Sequence, residues 1–342
     1  MKKIALLFLF FQSYCAFSQE FTTVPDSAFE AKLIKMGIDN DGHNKKVATS
    51  KIKNIDNLDV SNSKIKSLIG IENFTNLKKL ICNNNVIENL DLSHNLLLQE
   101  LFCAHNKLIK LNLIKNEHLT MLNCSHNALP IINLSKNIHL TDLICNANAL
   151  KALDVRNNTA LKTANCAENQ IAALNLTTNT SLLILNCEKN NIVNINLLSN
   201  NDLQELHCAN NKLAQLKLTN LSHLNYLYCS DNKLINLSLV NSPKLTRLLC
   251  ANNKINKIDV SENPLLTILD CNENLLEELV LDKNLKLKIL KCQHNKLKTL
   301  SLSKIHTLEE IEAEFNPTLK TIKIHKLMDG FKKDETAEWV EE

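Results

Sequence analysis

The chain has 342 residues, of which 44% are hydrophobic and 4% aromatic, and its formal net charge is +3 at pH 7. It contains only 4 glycines and 5 prolines, which excludes collagen-like, disordered and glycine-rich phosphate-binding proteins. A charge this close to neutral also excludes a basic nucleic-acid-binding protein and a protein with an acidic tail. Leucine and asparagine are the over-represented residues.

Residues 1–18 are typical of a secretory signal peptide. Two lysines precede the apolar run of residues 4–11, and Ala16 and Ser18 stand at the −3 and −1 positions of a cleavage site before Gln19. The run is too short to span a bilayer, and no other stretch approaches the roughly 18 apolar residues that a membrane-spanning helix needs. We therefore predict export to the periplasm, the cell surface or the medium, with no membrane span.

A lipoprotein signal is the alternative interpretation of this segment. It would make Cys15 the acylated residue, but Tyr14 stands where a small residue is needed. Cleavage before Gln19 is therefore favoured.

Residues 19–54 show no repeat and are predicted to form an N-terminal cap. Pro25 is followed by residues 26–36, in which Phe29, Leu33 and Ile34 lie on one face of a short amphipathic helix. A helix placed there covers the first coil of a repeat stack, whose open edge otherwise promotes aggregation.

Asp39, Asp41 and Gly42 suggest a calcium-binding loop. The glycine does not follow a third ligand, as the EF-hand pattern requires. A polar turn is favoured, and we predict no metal site and no cofactor.

A period of 21 residues covers most of the chain. Eleven of the 12 cysteines follow one another at this interval from Cys82 to Cys292, and the asparagines three residues later keep the same step. The unit reads L-x-x-L-x-C-x-x-N-x-L-x-x-L-x-L-x-x-N-x-x, and eleven copies cover residues 77–307 without an insertion. A further copy begins at Leu308 and loses register after Asn316.

This pattern resembles the leucine-rich repeat family, in a short 21-residue bacterial form similar to that of exported Bacteroidetes proteins. Residues 55–76 resemble a 22-residue internalin-type unit, with Ser63 where that family has asparagine. The resemblance implies a solenoid that acts as a binding scaffold. It leaves the ligand open, because this fold serves many unrelated partners.

The residues alone predict the same architecture. Leu80-x-Cys82 and Leu90-x-Leu92 alternate with a period of two, as short half-buried strands do. One repeat is too small to bury its leucines, so stacked copies must form a continuous core. We predict a β-rich leucine-rich repeat solenoid over residues 55–325, with about 13 coils. Its parallel sheet lies on the cysteine-bearing face, with little helix on the other face and a short N-terminal helical cap.

The ninth-position asparagines and the cysteines are predicted to be structural. An asparagine amide both donates and accepts, so it can satisfy backbone groups at the corner after the strand. The cysteines occupy core positions, where free thiols behave as small hydrophobic groups. Disulfides between neighbouring coils remain the alternative in an oxidising compartment, although the geometry is unfavourable. A zinc site is disfavoured because no paired Cys or His spacing occurs.

At the C-terminal end, residues 321–324 are predicted to form a last strand. The following segment, residues 326–342, contains the single tryptophan, Trp339. We predict that it forms a C-terminal cap or a frayed tail.

A ligand is expected at solvent-facing positions that differ between repeats, which are positions three and five on the cysteine-bearing strand. One cluster centres on Tyr226 and Tyr228, and tyrosine and arginine dominate interface hot spots. A second, apolar patch lies towards the N-terminal end, although scattered exposed hydrophobic residues are also ordinary on β-sheets. The candidate ligand-binding residues are Tyr226, Tyr228, Glu205, His207, Arg247, Leu249, Phe102 and Ile81.

Catalysis is not predicted. No set of nucleophile, base and orienting group is recognisable, and a flat sheet does not exclude water from a reaction. The leading hypothesis is an exported, non-enzymatic scaffold that binds a protein or peptide. The alternatives are glycan binding, with aromatic rings stacked on sugars, and a structural spacer of the cell envelope.

Overall fold

Residues 20–219 and 221–342 are described from a computed structural model. The predicted signal peptide lies outside these residues. The described residues contain two α-helices, α1 (Ser27–Lys35) and α2 (Thr49–Ile52), and one 3-10 turn at Ile71–Asn73. Neither α-helix has the length and apolar character required to cross a membrane.

The N-terminal cap combines helix α1 with the antiparallel strands β1 (Phe21–Thr23) and β2 (Lys46–Ala48). Asp26 fixes the start of the helix: its Oδ1 accepts from the backbone N–H groups of Ala28 and Phe29, both at 2.9 Å. Its Oδ2 accepts from Lys66 and Ser67 of the first coil, at 2.8 and 2.9 Å. One carboxylate therefore both caps the helix and ties it to the repeat stack. The predicted helical cap is confirmed.

Close packing of the cap on the first coil requires glycine at position 70. Gly70 has a φ of +106°, and a Cβ there would lie 2.7 Å from the carbonyl oxygen of Thr23. Phe29 of helix α1 also packs near Phe74 of the first coil, with ring centroids 6.4 Å apart. The cap therefore covers the apolar end of the first coil.

A 13-stranded parallel sheet forms the cysteine-bearing wall, with its strands in chain order. Residues of neighbouring strands pair at the predicted period, as Leu206 with Leu227 and, across the longer first unit, Leu58 with Leu80. The strands are β3 (Asn57–Asp59), β4 (Lys79–Ile81), β5 (Glu100–Phe102), β6 (Met121–Asn123), β7 (Asp142–Ile144), β8 (Thr163–Asn165), β10 (Ile184–Asn186), β12 (Glu205–His207), β13 (Tyr226–Tyr228), β15 (Arg247–Leu249), β17 (Ile268–Asp270), β18 (Ile289–Lys291) and β20 (Glu310–Glu312).

The opposite wall carries shorter, separate sheets. They are formed by β9 (Leu174–Asn175) with β11 (Ile195–Asn196), by β14 (Leu237–Ser238) with β16 (Ile258–Asp259), and by β19 (Leu300–Leu302), β21 (Thr321–Ile324) and β22 (Glu338–Glu341). Between the walls, the repeat leucines and cysteines form one continuous buried core, as Leu98, Leu101 and Cys103 illustrate with 0% exposure. The predicted β-rich solenoid with little helix is confirmed.

Residues 329–342 form a fourteenth coil, one more than the repeat pattern predicts. Strand β21 lies where the sequence predicts the last strand, and β22 pairs with it in parallel. Lys332 continues the cysteine-bearing wall through a bridge to Glu312. The Asp334 carboxylate accepts from the backbone N–H groups of Phe315 and Asn316, at 2.7 and 2.8 Å. This coil lacks the leucine pattern and closes through an aspartate.

Candidate binding surface on the cysteine-bearing sheet

The ninth-position asparagines hold the corner after each cysteine-bearing strand, as predicted. In Asn190, Nδ2 donates to the carbonyl oxygens of Cys187 in its own coil, at 3.2 Å, and of Cys166 in the preceding coil, at 3.0 Å. Its Oδ1 accepts from the backbone N–H of Ile171 at 2.9 Å. Asn211 repeats the arrangement in the next coil. Because donor and acceptor are both satisfied, successive strands stay in register.

The repeat cysteines form a column beneath this sheet. All eleven are buried and none is in a disulfide. Burial raises the pKa of the Cys229 thiol, which lies below the tyrosine strand, to about 12. Protonated thiols of this kind pack as small hydrophobic groups. The sheet therefore rests on an apolar, closely packed layer.

Six of the predicted ligand-binding residues meet on three adjacent strands, β12, β13 and β15. The register pairs the third-position residues of these strands with one another, and likewise the fifth-position residues. Arg247 is exposed and the other five side chains are half-buried. These six residues form what we term the tyrosine patch: Glu205, His207, Tyr226, Tyr228, Arg247 and Leu249.

Side chains of the tyrosine patch contact one another as well as the solvent. The guanidinium carbon of Arg247 lies 5.4 Å from the centroid of the Tyr226 ring, over its face. The rings of Tyr226 and Tyr228 are nearly parallel, at 19°, with centroids 6.5 Å apart. His207 contacts Tyr228 edge to face at 4.4 Å, and its Nε2 lies 3.5 Å from Glu205 Oε2. The patch is therefore ordered by its own contacts.

Comparisons with known proteins identify the fold. No protein-family model matches the sequence, and no curated protein matches it. Among solved structures, the functional domain of InlJ from Listeria monocytogenes, which includes a cysteine ladder, has 29% sequence identity and a TM-score of 0.76 over 90% of this chain and 73% of that chain. The internalin InlF from Listeria monocytogenes has 22% identity and a TM-score of 0.75 over 93% and 95% of the two chains.

A plant peptide hormone receptor, RGFR1 in complex with RGF2, has 20% identity and a TM-score of 0.68 over 84% of this chain and 57% of that chain. All three structures superpose on most of this chain with TM-scores of 0.68 to 0.76. The chain has the leucine-rich repeat fold.

The other predicted contact region lies nearer the N-terminal end of the leucine-rich repeat sheet. Ile81 and Phe102 pair across strands β4 and β5. Lys79 covers the Phe102 ring at 5.2 Å from its centroid, and its Nζ pairs with Glu100 Oε2 at 2.7 Å. Four strands, β6 to β8 and β10, separate this pair from the tyrosine patch. The structure therefore holds two separate groups of predicted residues.

Two neighbours of the tyrosine patch were not predicted as ligand-binding residues. Ile268 pairs with Arg247, and Asp270 pairs with Leu249, on strand β17. Burial raises the pKa of the Asp270 carboxyl. The repeat columns place both residues beside the patch, so the sequence carried the signal. Only side-chain packing shows that Asp270 is half-buried.

Outside the cysteine-bearing sheet, the leucine-rich repeat stack exposes apolar side chains and an open pocket. Corner positions expose large aliphatic side chains, with Ile109 at 64% and Ile131 at 70%. An open pocket of about 520 Å³ near the first coil is lined by residues including Ile69, Ile71 and Asp91. No group of three or more potential metal ligands occurs within residues 20–219 and 221–342.

Proposed function

We propose that this protein is an exported, non-enzymatic leucine-rich repeat scaffold that binds a protein or peptide partner through its cysteine-bearing sheet. The tyrosine patch carries this proposal. Two tyrosines, a histidine, an arginine, a glutamate and a leucine stand together on three adjacent strands. Among these residue types, tyrosine and arginine are enriched in the hot spots that supply most of the binding energy in protein interfaces.

The patch is suited to binding because its side chains are already ordered. Tyrosine offers a large contact area at a low cost in conformational entropy. Here Arg247 and His207 restrain the two rings further, and the parallel sheet below holds the backbone. Pre-ordering of this kind reduces the entropy lost on association. The plant receptor structure, a complex with RGF2, supports a partner-binding role for the fold.

Glycan binding is the second candidate, and the ring contacts make it the weaker one. Stacking on a sugar requires an accessible aromatic face. Arg247 covers one face of Tyr226, and Tyr228 contacts His207 edge to face. The patch therefore presents ring edges, phenol hydroxyls and charges, which suit a protein surface. A spacer of the cell envelope would need no such cluster.

The proposal extends to the chain's organisation and location. We assign residues 1–18 to a signal peptide, 19–54 to the N-terminal cap, 55–325 to the solenoid of the 21-residue bacterial type and 326–342 to the C-terminal cap. The destination is the periplasm, the cell surface or the medium. N-terminal sequencing of the exported protein should find Gln19 first. Retention of residues 1–18 would contradict export by this route.

A capture experiment tests the binding role. Immobilised residues 19–342 are incubated with envelope extracts and with secreted polysaccharides, beside a Tyr226→Ala/Tyr228→Ala variant. The matched control is Ile144→Ala/Thr163→Ala, which removes side chains at positions five and three of strands β7 and β8. Circular dichroism checks each fold.

We expect the envelope extracts to contain a protein that the wild type and the control retain and that the tyrosine variant does not retain. Retention of the same protein by all three forms would show that the binding site lies outside the tyrosine patch. A retained polysaccharide would favour glycan binding, and no retention would favour the spacer.

A further inference from the structure

Most charges near the C-terminal half of the cysteine-bearing sheet are paired. Lys291 Nζ, for example, lies 3.0 Å from Glu310 Oε1 and 3.5 Å from Glu312 Oε2. Within the described parts of the chain, Arg247 and Asp270 have no ion-pair partner within 4.0 Å. These two residues lie on adjacent strands, β15 and β17, at the edge of the tyrosine patch.

Neither charge is in a side-chain ion pair among the described residues, although the Lys291 ammonium and the Glu312 and Glu273 carboxylates act on Asp270 at longer range. The Arg247 side chain is exposed, with its guanidinium over the Tyr226 ring. Asp270 is half-buried, and among the described residues its Oδ1 accepts from the backbone N–H of Asn272, at 3.2 Å. Lys291 is its neighbour on the next strand, but that ammonium pairs with two glutamates. A partly buried carboxylate without an ion-pair partner gains from a ligand that supplies a cation.

The register of the strands sets the two charges on one diagonal of a square. Arg247 pairs with Ile268, and Leu249 pairs with Asp270. The aliphatic side chains therefore occupy the other diagonal. From the strand spacing and the rise over two residues, the diagonal is about 8 Å long. Arg247, Leu249, Ile268 and Asp270 are termed the charge square below.

We propose that the charge square binds an extended peptide segment of the partner, in which an acidic and a basic side chain lie two residues apart. This inference rests on the proposed function and names the recognition element of the same surface. Side chains two residues apart on an extended chain lie on one face, about 6.6–6.8 Å from each other. That spacing fits the diagonal once the side chains flex.

The charge pattern specifies the occupant. The acidic side chain pairs with Arg247 and the basic one with Asp270. Their methylene stems pack on Leu249 and Ile268, as long charged side chains do on apolar surfaces. A segment with two acidic groups is repelled by Asp270, and a segment with two basic groups is repelled by Arg247. Opposed charges of this kind confer specificity more than affinity.

Three synthetic dodecapeptides test the proposal. They share one neutral sequence and differ at two positions, separated by one threonine, which hold glutamate and lysine, two glutamates, or two lysines. Binding to residues 19–342 is measured by interferometry at low ionic strength. The wild type should bind the mixed peptide about 1.4- to fivefold more tightly than either like-charged peptide, the range expected for exposed ion pairs.

Charge reversal should change the preference in a defined direction. Arg247→Glu leaves two anions and should prefer the two-lysine peptide. Asp270→Lys leaves two cations and should prefer the two-glutamate peptide. Lys217→Glu, an exposed change on the opposite wall, should keep the wild-type order. Circular dichroism confirms that each variant is folded.

An equal response to all three peptides, or a preference that survives both reversals, would overturn the charge square. If the tyrosine variant still loses its captured protein in that case, only this inference fails. If that variant also retains every ligand, the proposed function fails with it.

Discussion

The two walls of the solenoid are built from the same repeat but differ in regularity. The cysteine-bearing wall is one 13-stranded sheet, whereas the described residues of the opposite wall form short sheets of two or three strands. On the first wall the backbone N–H of Cys208 donates to Tyr228 of the next coil at 2.8 Å, and the same bond recurs along the stack. The difference lies in how each corner is satisfied.

Each wall has its own asparagine ladder. In the first, both ends of the ninth-position amide have partners, as in Asn190. In the second, at repeat position 19, Asn179 Nδ2 donates to the carbonyl oxygens of Val155 and Asn158, at 3.0 and 2.9 Å. Its buried Oδ1 has no partner among the described residues, and seven equivalent oxygens share this state.

The second ladder also tolerates substitution. Leu221, Ser242 and Ile305 occupy its asparagine position, whereas the ninth position keeps asparagine from Asn85 to Asn316. An amide that bonds only through its nitrogen contributes less to stability, because its buried oxygen has no hydrogen-bond donor. The fully bonded ladder therefore supports a regular face, and that face carries the tyrosine patch.

We expect the cysteine column to have the largest effect on the free energy of unfolding, through its dependence on pH. Burial raises the pKa of thiols such as Cys124 and Cys166 to about 12, from an ordinary 9.0. The folded chain keeps these protons while the unfolded chain releases them above about pH 9, so the thiols' contribution to the free energy of unfolding is constant below that pH and falls above it. Each thiol contributes more than about 1 kcal/mol per pH unit. Urea denaturation between pH 7 and 11 under reducing conditions measures this slope.

A variant with three fewer thiols provides the comparison. Cys187→Val/Cys208→Val/Cys229→Val should lose stability less steeply than the wild type over the same pH range. Lysine deprotonation affects both chains equally. Equal slopes would show that the thiols do not cause the alkaline loss.

The next largest effect on stability distinguishes the two asparagine ladders. Asn190→Leu should lower the free energy of unfolding by about 2–4 kcal/mol, because it leaves the Ile171 N–H buried without its acceptor. Asn179→Leu should cost about 1 kcal/mol or less, since the lost bonds are offset by removal of an unsatisfied oxygen. Chemical denaturation of both variants measures the difference.

Asn194→Leu is the control, because Asn194 is exposed on the opposite wall. It should leave stability near the wild-type value. If Asn179→Leu proves as destabilising as Asn190→Leu, the two ladders are equivalent and the comparison is wrong.

The smallest effect is stabilising. The residue before each ninth-position asparagine has a left-handed backbone, and Ala147 has a φ of 52°. This conformation is unfavourable for alanine and more readily adopted by asparagine, which occupies equivalent positions at Asn84 and Asn210. Ala147→Asn should raise stability by up to about 1 kcal/mol. The exposed change Ala152→Asn should bring no gain, and a gain there as large would refute the backbone explanation.

The period of the sequence was sufficient to predict the solenoid and part of the candidate site. From β4 onward, the strands of the main sheet recur at a fixed interval, so positions three and five of neighbouring repeats had to lie side by side. The grouping of Tyr226 with His207 followed from that spacing. The stacking of Arg247 on Tyr226 did not, because it depends on side-chain rotamers that no spacing specifies.

Contacts distant in sequence were also beyond the repeat pattern. Asp26 binds backbone groups 40 residues further on, and Asp334 closes a coil that has no consensus leucines. The half-satisfied state of Asn179 depends on which backbone groups surround its oxygen. These features arise from three-dimensional packing of single residues, whereas a repeat pattern reports only what many coils share.

We infer that the cysteine-bearing wall is the more rigid, pre-ordered face of the molecule. Hydrogen–deuterium exchange of residues 19–342 under native conditions measures this difference between the walls. We predict that amides of strands β12 and β13 exchange at least about tenfold more slowly than amides of residues 214–219 and 235–240, because local opening follows hydrogen bonding and packing. Equal exchange on both walls, or slower exchange on the opposite wall, would show that the cysteine-bearing wall is not the more rigid face.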